Sequence, residues 1–226
     1  MSAGVGAAPR VGDHYRSTRV RLAMLLGSID DAAWGTPVQA CPGWRVRDVV
    51  AHLVGVIEDA SAGRLSGPPG PEQTAEQLDR HRSDLAADLL AQWAATAPAF
   101  EEAISAGARW PAFLDVVSHE HDIRGALGYQ EPNSADVDLA GALLAEWTQA
   151  PIDIDIAPSD PVLSSGPAAG PENPRIRLRT TAFEVLRFRM GRRTRKQVLA
   201  LDWSADPGPT LDELFVFGPA AEPVSY

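Results

Sequence analysis

The stretch that decides the fold runs from Phe113 to Gly128 and reads FLDVVSHEHDIRGALG. Its apolar residues recur at helical spacing, and Gly128 is a residue type that commonly ends a helix. Asp115 and His119 are four residues apart, so on a helix they lie on one face, one turn apart. Carboxylate and imidazole groups are both zinc ligands, so this pair can bind one ion. The spacing alone is not specific, because Asp and His fall four apart on many helices by chance.

A third candidate ligand, His52, lies in a second stretch that reads CPGWRVRDVVAHL from Cys41 to Leu53. The pattern predicts a helix over residues 46–60 with an apolar inner stripe on which His52 lies. Three protein ligands with one open position are typical of a catalytic zinc site. Taken alone, His52 fits equally a core histidine bonded to a backbone carbonyl.

Both stretches resemble the mycothiol-dependent maleylpyruvate isomerase family, a branch of the DinB-like metal-binding helical bundles. The second stretch resembles the opening of that family's second helix, and the first resembles its later metal-bearing helix. Residues 183–186, 191–195, 201–203 and 217–219 resemble the tail that often follows such bundles in actinobacterial proteins. The resemblance extends from about His14 to Pro219.

The resemblance implies an enzyme in which His52, Asp115 and His119 bind a divalent metal, zinc, and in which mycothiol is the thiol cofactor. The implied activity is that of an isomerase or thiol S-transferase acting on a small, anionic, electrophilic substrate. Family enzymes hold the substrate carboxylates with an arginine from the C-terminal region, for which Arg192 and Arg193 are the candidates here.

Two positions depart from the family pattern. Asp115 stands where the best-understood members have Glu, so the shorter side chain requires closer helices or a bridging water. Arg45 stands before the second helix where Thr is frequent, which removes a side-chain acceptor for the first-turn amides. Asp48 places a negative charge at the same helix end and partly compensates.

The predicted fold class is mainly α: a DinB-like antiparallel four-helix bundle with a small C-terminal α+β appendage. We place the bundle in residues 1–150 and the appendage in residues 151–226. The helices of the bundle are predicted at residues 14–29, 46–60, 74–93 (prolonged or restarted over 97–106) and 110–127, with a short helix at 136–148. The appendage is predicted to contain strands at 152–156 and 175–179, a linker or mobile loop at 158–174, and helices at 182–190 and 194–201.

Composition indicates a globular protein, with 45% hydrophobic and 22% charged residues among 226. No apolar run approaches the roughly 20 residues that span a bilayer, and residues 1–10 lack a hydrophobic signal core. Cys41 is the single cysteine, so no internal disulfide can form. We therefore expect a cytoplasmic monomer or homodimer without a membrane partner.

Charge is divided unevenly along the chain, whose formal net charge is -10. Residues 1–150 contain 11 basic and 20 acidic residues, whereas residues 151–226 contain 9 and 10. All nine basic residues of the second part lie between Arg175 and Lys196. Such a cluster can bind phosphate, carboxylate or nucleic acid, or it can be a solvated surface. Because no aromatic platform accompanies it and the chain is acidic, we expect no nucleic-acid partner.

Other residues near the ligands carry alternative interpretations. Cys41 fits a structural thiol better than a nucleophile, since it lies beside Pro42 in a loop. Asp122 either orients His119 by a hydrogen bond or pairs with Arg124. His121 is about 200° around the helix from His119 and is predicted to lie on the surface.

Two other functions remain open on sequence alone. One is a bundle that retains the fold but binds small molecules or regulates without catalysis. The other is a metal-dependent hydrolase that uses zinc-bound water.

Overall fold

The computed structural model describes residues 10–107, 111–129, 134–157, 163–164 and 175–225. The chain divides into two compact units, residues 1–123 and 124–226. The boundary predicted at residue 150 rests on the change in sequence pattern and stays a prediction. Among the described residues, no helix is both long and apolar enough to cross a membrane.

The first unit is built from helices, which confirms the predicted mainly α fold class. They are α1 (Val11–Leu26), α2 (Val46–Ser61), α3 (Pro71–Arg80), α4 (Ala86–Gly107) and α5 (Pro111–Ala126), with a 3-10 turn at Ala33–Gly35. α4 packs against α1 and α2, and α3 packs against α2. The four longer helices, α1, α2, α4 and α5, correspond to the predicted bundle.

The core of this unit combines apolar side chains with several buried acids. Apolar residues from every long helix are fully buried, among them Leu22, Leu53, Trp93 and Phe113. The buried carboxylate of Glu101 accepts hydrogen bonds from Arg16 and Arg19 of α1 at 2.6 and 2.8 Å. Because a buried carboxylate is costly unless paired, these ion pairs favour one arrangement of α1 on α4.

The predicted third helix, 74–93, is wrong in its extent. The helix is interrupted between the end of α3 at Arg80 and the start of α4 at Ala86. Arg47 of α2 donates hydrogen bonds to the backbone carbonyls of His81, Arg82 and Asp84, at 2.9 to 3.2 Å. These carbonyls lie between the two helices and share the side chain of Arg47 as a donor, while the carbonyl of His81 also accepts from the backbone N–H of Asp84 at 3.1 Å. α4 then runs through Pro98 without a restart at residue 97.

The second unit is a small α+β structure, as predicted. It contains α6 (Ala135–Glu146), β1 (Ile152–Ile156), β2 (Leu163–Ser164), β3 (Ile176–Thr180), α7 (Ala182–Arg189), α8 (Arg195–Leu199), β4 (Asp202–Trp203) and a 3-10 turn at Gly208–Leu214. The sheet order is β2-β1-β3-β4, with β1 and β3 parallel. Thr181 and Thr194 cap α7 and α8 with their side-chain oxygens. Of the predicted linker, residues 158–162 and 165–174 lie outside the described residues, as does Trp110 at the predicted start of the fourth bundle helix.

Many basic side chains of the cluster at residues 175–196 lie next to acids or backbone carbonyls of this same unit. Arg177 lies opposite Asp153 in the β1/β3 register, and Arg179 lies opposite Asp155 on one side and Asp202 on the other. Opposite charges at facing positions stabilise a sheet. The buried Arg189 donates to the carbonyls of Glu213, Leu214 and Trp147. Neighbouring acids and carbonyls thus account for much of the positive charge.

Candidate metal centre

The structure brings together the three side chains that the sequence predicts as ligands. His52 lies on α2, and Asp115 and His119 lie one turn apart on α5. The Nε2 atom of His52 is 3.5 Å from Oδ2 of Asp115, and Nε2 of His119 is 3.5 Å from Oδ1 of the same carboxylate. The shorter Asp side chain therefore reaches both histidines without a bridging group.

The spacing and burial of these atoms suit a metal ion. Ligands about 2.0–2.1 Å from a tetrahedral ion lie about 3.3–3.4 Å from one another, close to the spacing observed here. One ligand atom from each residue lies within 4.8 Å of the others. The side chains of His52 and His119 are 6% and 7% exposed, whereas that of Asp115 is 24% exposed. Solvent or a ligand therefore approaches the centre from the side of Asp115.

His119 is oriented by an acid on its own helix. Its Nδ1 atom lies 2.9 Å from Oδ2 of the buried Asp122, so the predicted supporting role of Asp122 has the required geometry. The thiol of Cys41 donates to the same oxygen at 3.6 Å and lies 3.9 Å from Nδ1 of His119. Cys41 therefore faces the side of the imidazole ring that is turned away from Asp115.

His52 is oriented by residues that sequence reasoning missed. Its Nδ1 atom lies 2.8 Å from Oε1 of Gln77 on α3, and Nε2 of Gln77 donates to Asp59 at 2.7 Å. Asp59 also accepts hydrogen bonds from Arg64 and Arg80. Burial opposes ionisation of Asp59, but the hydrogen bonds from Gln77, Arg64 and Arg80 together lower its pKa below the ordinary value.

The loop before α2 forms a wall of the centre. The ring centroid of Trp44 is 5.3 Å from that of His52 and 6.4 Å from that of His119. Trp44 also lines a cavity of about 420 Å³ formed by residues 37–39 and 42–45. At the start of α2 the backbone N–H of Arg45 donates to Asp48 at 2.9 Å, so Asp48 binds this helix end, and its partial compensation for the missing Thr by charge stays a prediction.

The remaining candidates have other surroundings. Arg193 forms an ion pair with Glu184, and Arg192 donates to the carbonyl of Met190 at 2.5 Å. Their assignment as a substrate clamp stays a prediction. His121 is buried, at 7% exposure, so its predicted surface position is wrong.

The fold is a helical bundle, and His52, Asp115 and His119 form a candidate three-ligand metal centre of the His, His, carboxylate type. The family profile described as the mycothiol maleylpyruvate isomerase N-terminal domain matches residues 15–127, half of the chain. The chain belongs to this family, which confirms the resemblance.

Solved structures with a similar fold include the crystal structure of the mycothiol-dependent maleylpyruvate isomerase. It is 13% identical, covers 80% of this chain and 88% of its own, and has a TM-score of 0.48. A histidine-to-alanine mutant of that enzyme has a TM-score of 0.49 at the same identity and coverage. A search of curated proteins gave no match.

Proposed function

We propose that this protein is a zinc-dependent enzyme that uses mycothiol to isomerise a small electrophilic substrate or to transfer the thiol to it. The observation that carries the proposal is the convergence of His52, Asp115 and His119 at metal-ligand spacing, in a chain of this family. Two neutral imidazoles and one carboxylate would hold zinc with a net charge of about +1 and leave a position open. Zinc in that environment supplies the charge that stabilises a thiolate at neutral pH.

The other roles in the proposed reaction belong to residues of the protein itself. Asp122 and Gln77 hold the two imidazole rings, so that both Nε2 atoms face the carboxylate. Trp44 lies against both rings, and the cavity that Trp44 also lines offers room for a small molecule. The thiol of Cys41 is not needed as a nucleophile, since the cofactor supplies the sulfur.

The isomerisation proposed here is balanced without an external oxidant or reductant. Mycothiol, when bound, would supply a thiolate able to add to one carbon of a conjugated cis double bond, with the electron pair moving onto the neighbouring carbonyl oxygen. After rotation about the new single bond, return of the electron pair would expel the thiolate and restore the double bond in the trans form. In the S-transferase alternative, the adduct is protonated and released.

Calorimetry of mycothiol binding tests the proposal. Since only the thiolate is a good zinc ligand, binding near neutral pH releases close to one proton per thiol. Titrations in buffers of different ionisation enthalpy measure that number. The release is expected to persist in Cys41→Ser, whose thiol is outside the scheme, and to vanish in His52→Ala.

Two results would contradict the thiol-using enzyme. Thiol binding without proton release indicates that the sulfur does not reach zinc, and favours the small-molecule-binding bundle. Zinc binding without any thiol binding favours the hydrolase that uses zinc-bound water.

A further inference from the structure

We infer that Gln77 is a positioning residue for the metal centre, because its side-chain amide dictates which ring nitrogen of His52 carries the hydrogen. The inference rests on the proposed function in one respect, namely that His52 is a metal ligand. Its structural part, the tautomer of His52, can be tested without metal.

His52, Gln77 and Asp59 are joined by a buried series of hydrogen bonds that leads away from the candidate metal centre. Gln77 is fully buried and Asp59 is 3% exposed. The amide of Gln77 lies between the two groups, with Oε1 2.8 Å from Nδ1 of His52 and Nε2 2.7 Å from Oδ2 of Asp59. Both contacts have normal hydrogen-bond lengths, so each requires one donor and one acceptor.

The direction of these hydrogen bonds follows from Asp59. Two guanidinium groups, of Arg64 and Arg80, bind Oδ1 of this carboxylate at 2.6 and 2.8 Å, which keeps it ionised and able only to accept. The NH2 group of Gln77 must therefore face Asp59, since the opposite orientation would place an amide oxygen against a carboxylate oxygen. The amide oxygen then faces His52.

An amide oxygen only accepts, so Nδ1 of His52 must donate. In the neutral ring Nε2 then has no hydrogen and directs a lone pair towards Asp115, as a metal ligand requires. The other tautomer would place a hydrogen where the ion binds. In His119 the hydrogen is also placed on Nδ1, but there the acceptor is the carboxylate of Asp122 on the same helix.

Gly55 of α2 makes room for this arrangement. A Cβ atom at this position would lie 2.7 Å from both Cβ and Cγ of Gln77, a distance that real Cβ contacts essentially never show. α3 therefore approaches α2 closely at Gly55, one turn after His52. The close approach brings the amide of Gln77 within reach of the imidazole.

The test combines the tautomer of His52 with zinc affinity in the full-length chain. Nitrogen chemical shifts of the metal-free protein, at a pH of about 8 where an ordinary imidazole is neutral, report which ring nitrogen carries the hydrogen. The signal is assigned by its loss in His52→Ala. Zinc affinity is measured by competition with a chromophoric chelator.

We expect the hydrogen on Nδ1 in the wild type and a shift towards the other tautomer in Gln77→Leu. Zinc affinity is expected to fall about 10- to 100-fold, as for loss of other partners of metal-bound histidines. Gln73→Leu is the matched control: it removes the same group one turn earlier on α3, where the amide accepts from the backbone N–H of Gly70 and donates to the backbone carbonyl of Arg64. It should leave the tautomer and the affinity unchanged.

A polarity swap serves as the rescue. Gln77→Glu combined with Asp59→Asn exchanges donor and acceptor between the two positions and keeps an acceptor for His52. This double variant should bind zinc as tightly as the wild type or more tightly, and it decides the matter even if Gln77→Leu does not fold.

The inference would be overturned by a hydrogen on Nε2 in the wild type, by Gln77→Leu behaving like Gln73→Leu, or by affinity falling with no change of tautomer. Loss of zinc binding in the double variant would do the same. If the wild type binds no zinc, the proposed function is wrong. The tautomer measurement would still test the role of Gln77 in that case.

Discussion

Asp115 lies between two imidazole rings, with one carboxylate oxygen 3.5 Å from each Nε2 atom. It is the sole candidate ligand in this set that contributes a negative charge. Two neutral nitrogens and an anion suit a divalent ion better than three neutral groups, because the anion offsets part of the charge brought into a partly buried site.

We therefore expect Asp115→Asn to weaken zinc binding by at least about tenfold, or about 1.4 kcal/mol, because it keeps the shape and removes the charge. Asp115→Glu keeps the charge and should keep most of the affinity or increase it. Chelator competition on the three proteins measures these differences. Equal affinities in all three would indicate that Asp115 is not a ligand.

The ligands were predictable from sequence, whereas their supporting residues were only partly so. Asp115, His119 and Asp122 lie within two turns of one helix, where periodicity alone places them on related faces. Gln77 is 25 residues from His52 and joins it only because α3 packs on α2. No local pattern marks such a residue.

At the level of helices and strands, close backbone approaches fix the packing of the second unit. Gly141 of α6 faces α7, where an added Cβ would lie 2.5 Å from the carbonyl oxygen of Ala182. That atom belongs to the backbone and cannot move aside as a flexible side chain does.

Gly141→Ala is therefore expected to destabilise the protein. Overpacking costs about 1–3 kcal/mol, and the gain in helix propensity recovers at most about 1 kcal/mol. Denaturant unfolding measures the difference. The matched control is Gly35→Ala, where an added Cβ meets nothing within 4 Å. A Gly141→Ala protein at least as stable as this control would show that α6 and α7 pack less closely than described.

Helix and strand positions followed from periodicity and capping where local signals dominate. α2, β1 and β3 lie within one residue of their predicted bounds, and α7 begins at residue 182 as predicted. The interruption after α3 could not be predicted in this way. It depends on Arg47, which lies more than thirty residues earlier in the sequence and donates hydrogen bonds to the carbonyls of the interrupted turn. A tertiary contact of this kind overrides a helical pattern that continues through it.

Over the whole molecule, the net charge of -10 comes mainly from the acidic first part of the chain. Several acids of the first unit are paired with arginines in its interior, as at Glu101, Glu120 and Asp59. In the second unit, facing Asp and Arg residues on β1 and β3 account for the alternating charges that the sequence displays. Many charged side chains of the folded protein thus lie next to side chains of opposite charge.

The central claim is that His52, Asp115 and His119 hold one metal ion, and elemental analysis of the purified full-length protein tests it most directly. We expect about one zinc per chain in the wild type and close to none in His119→Ala, with the helical circular dichroism signal retained because the apolar face of α5 is intact. His121→Ala, two residues further along the same helix and outside the ligand set, should retain its zinc. Equal zinc content in His119→Ala and the wild type would contradict the assignment.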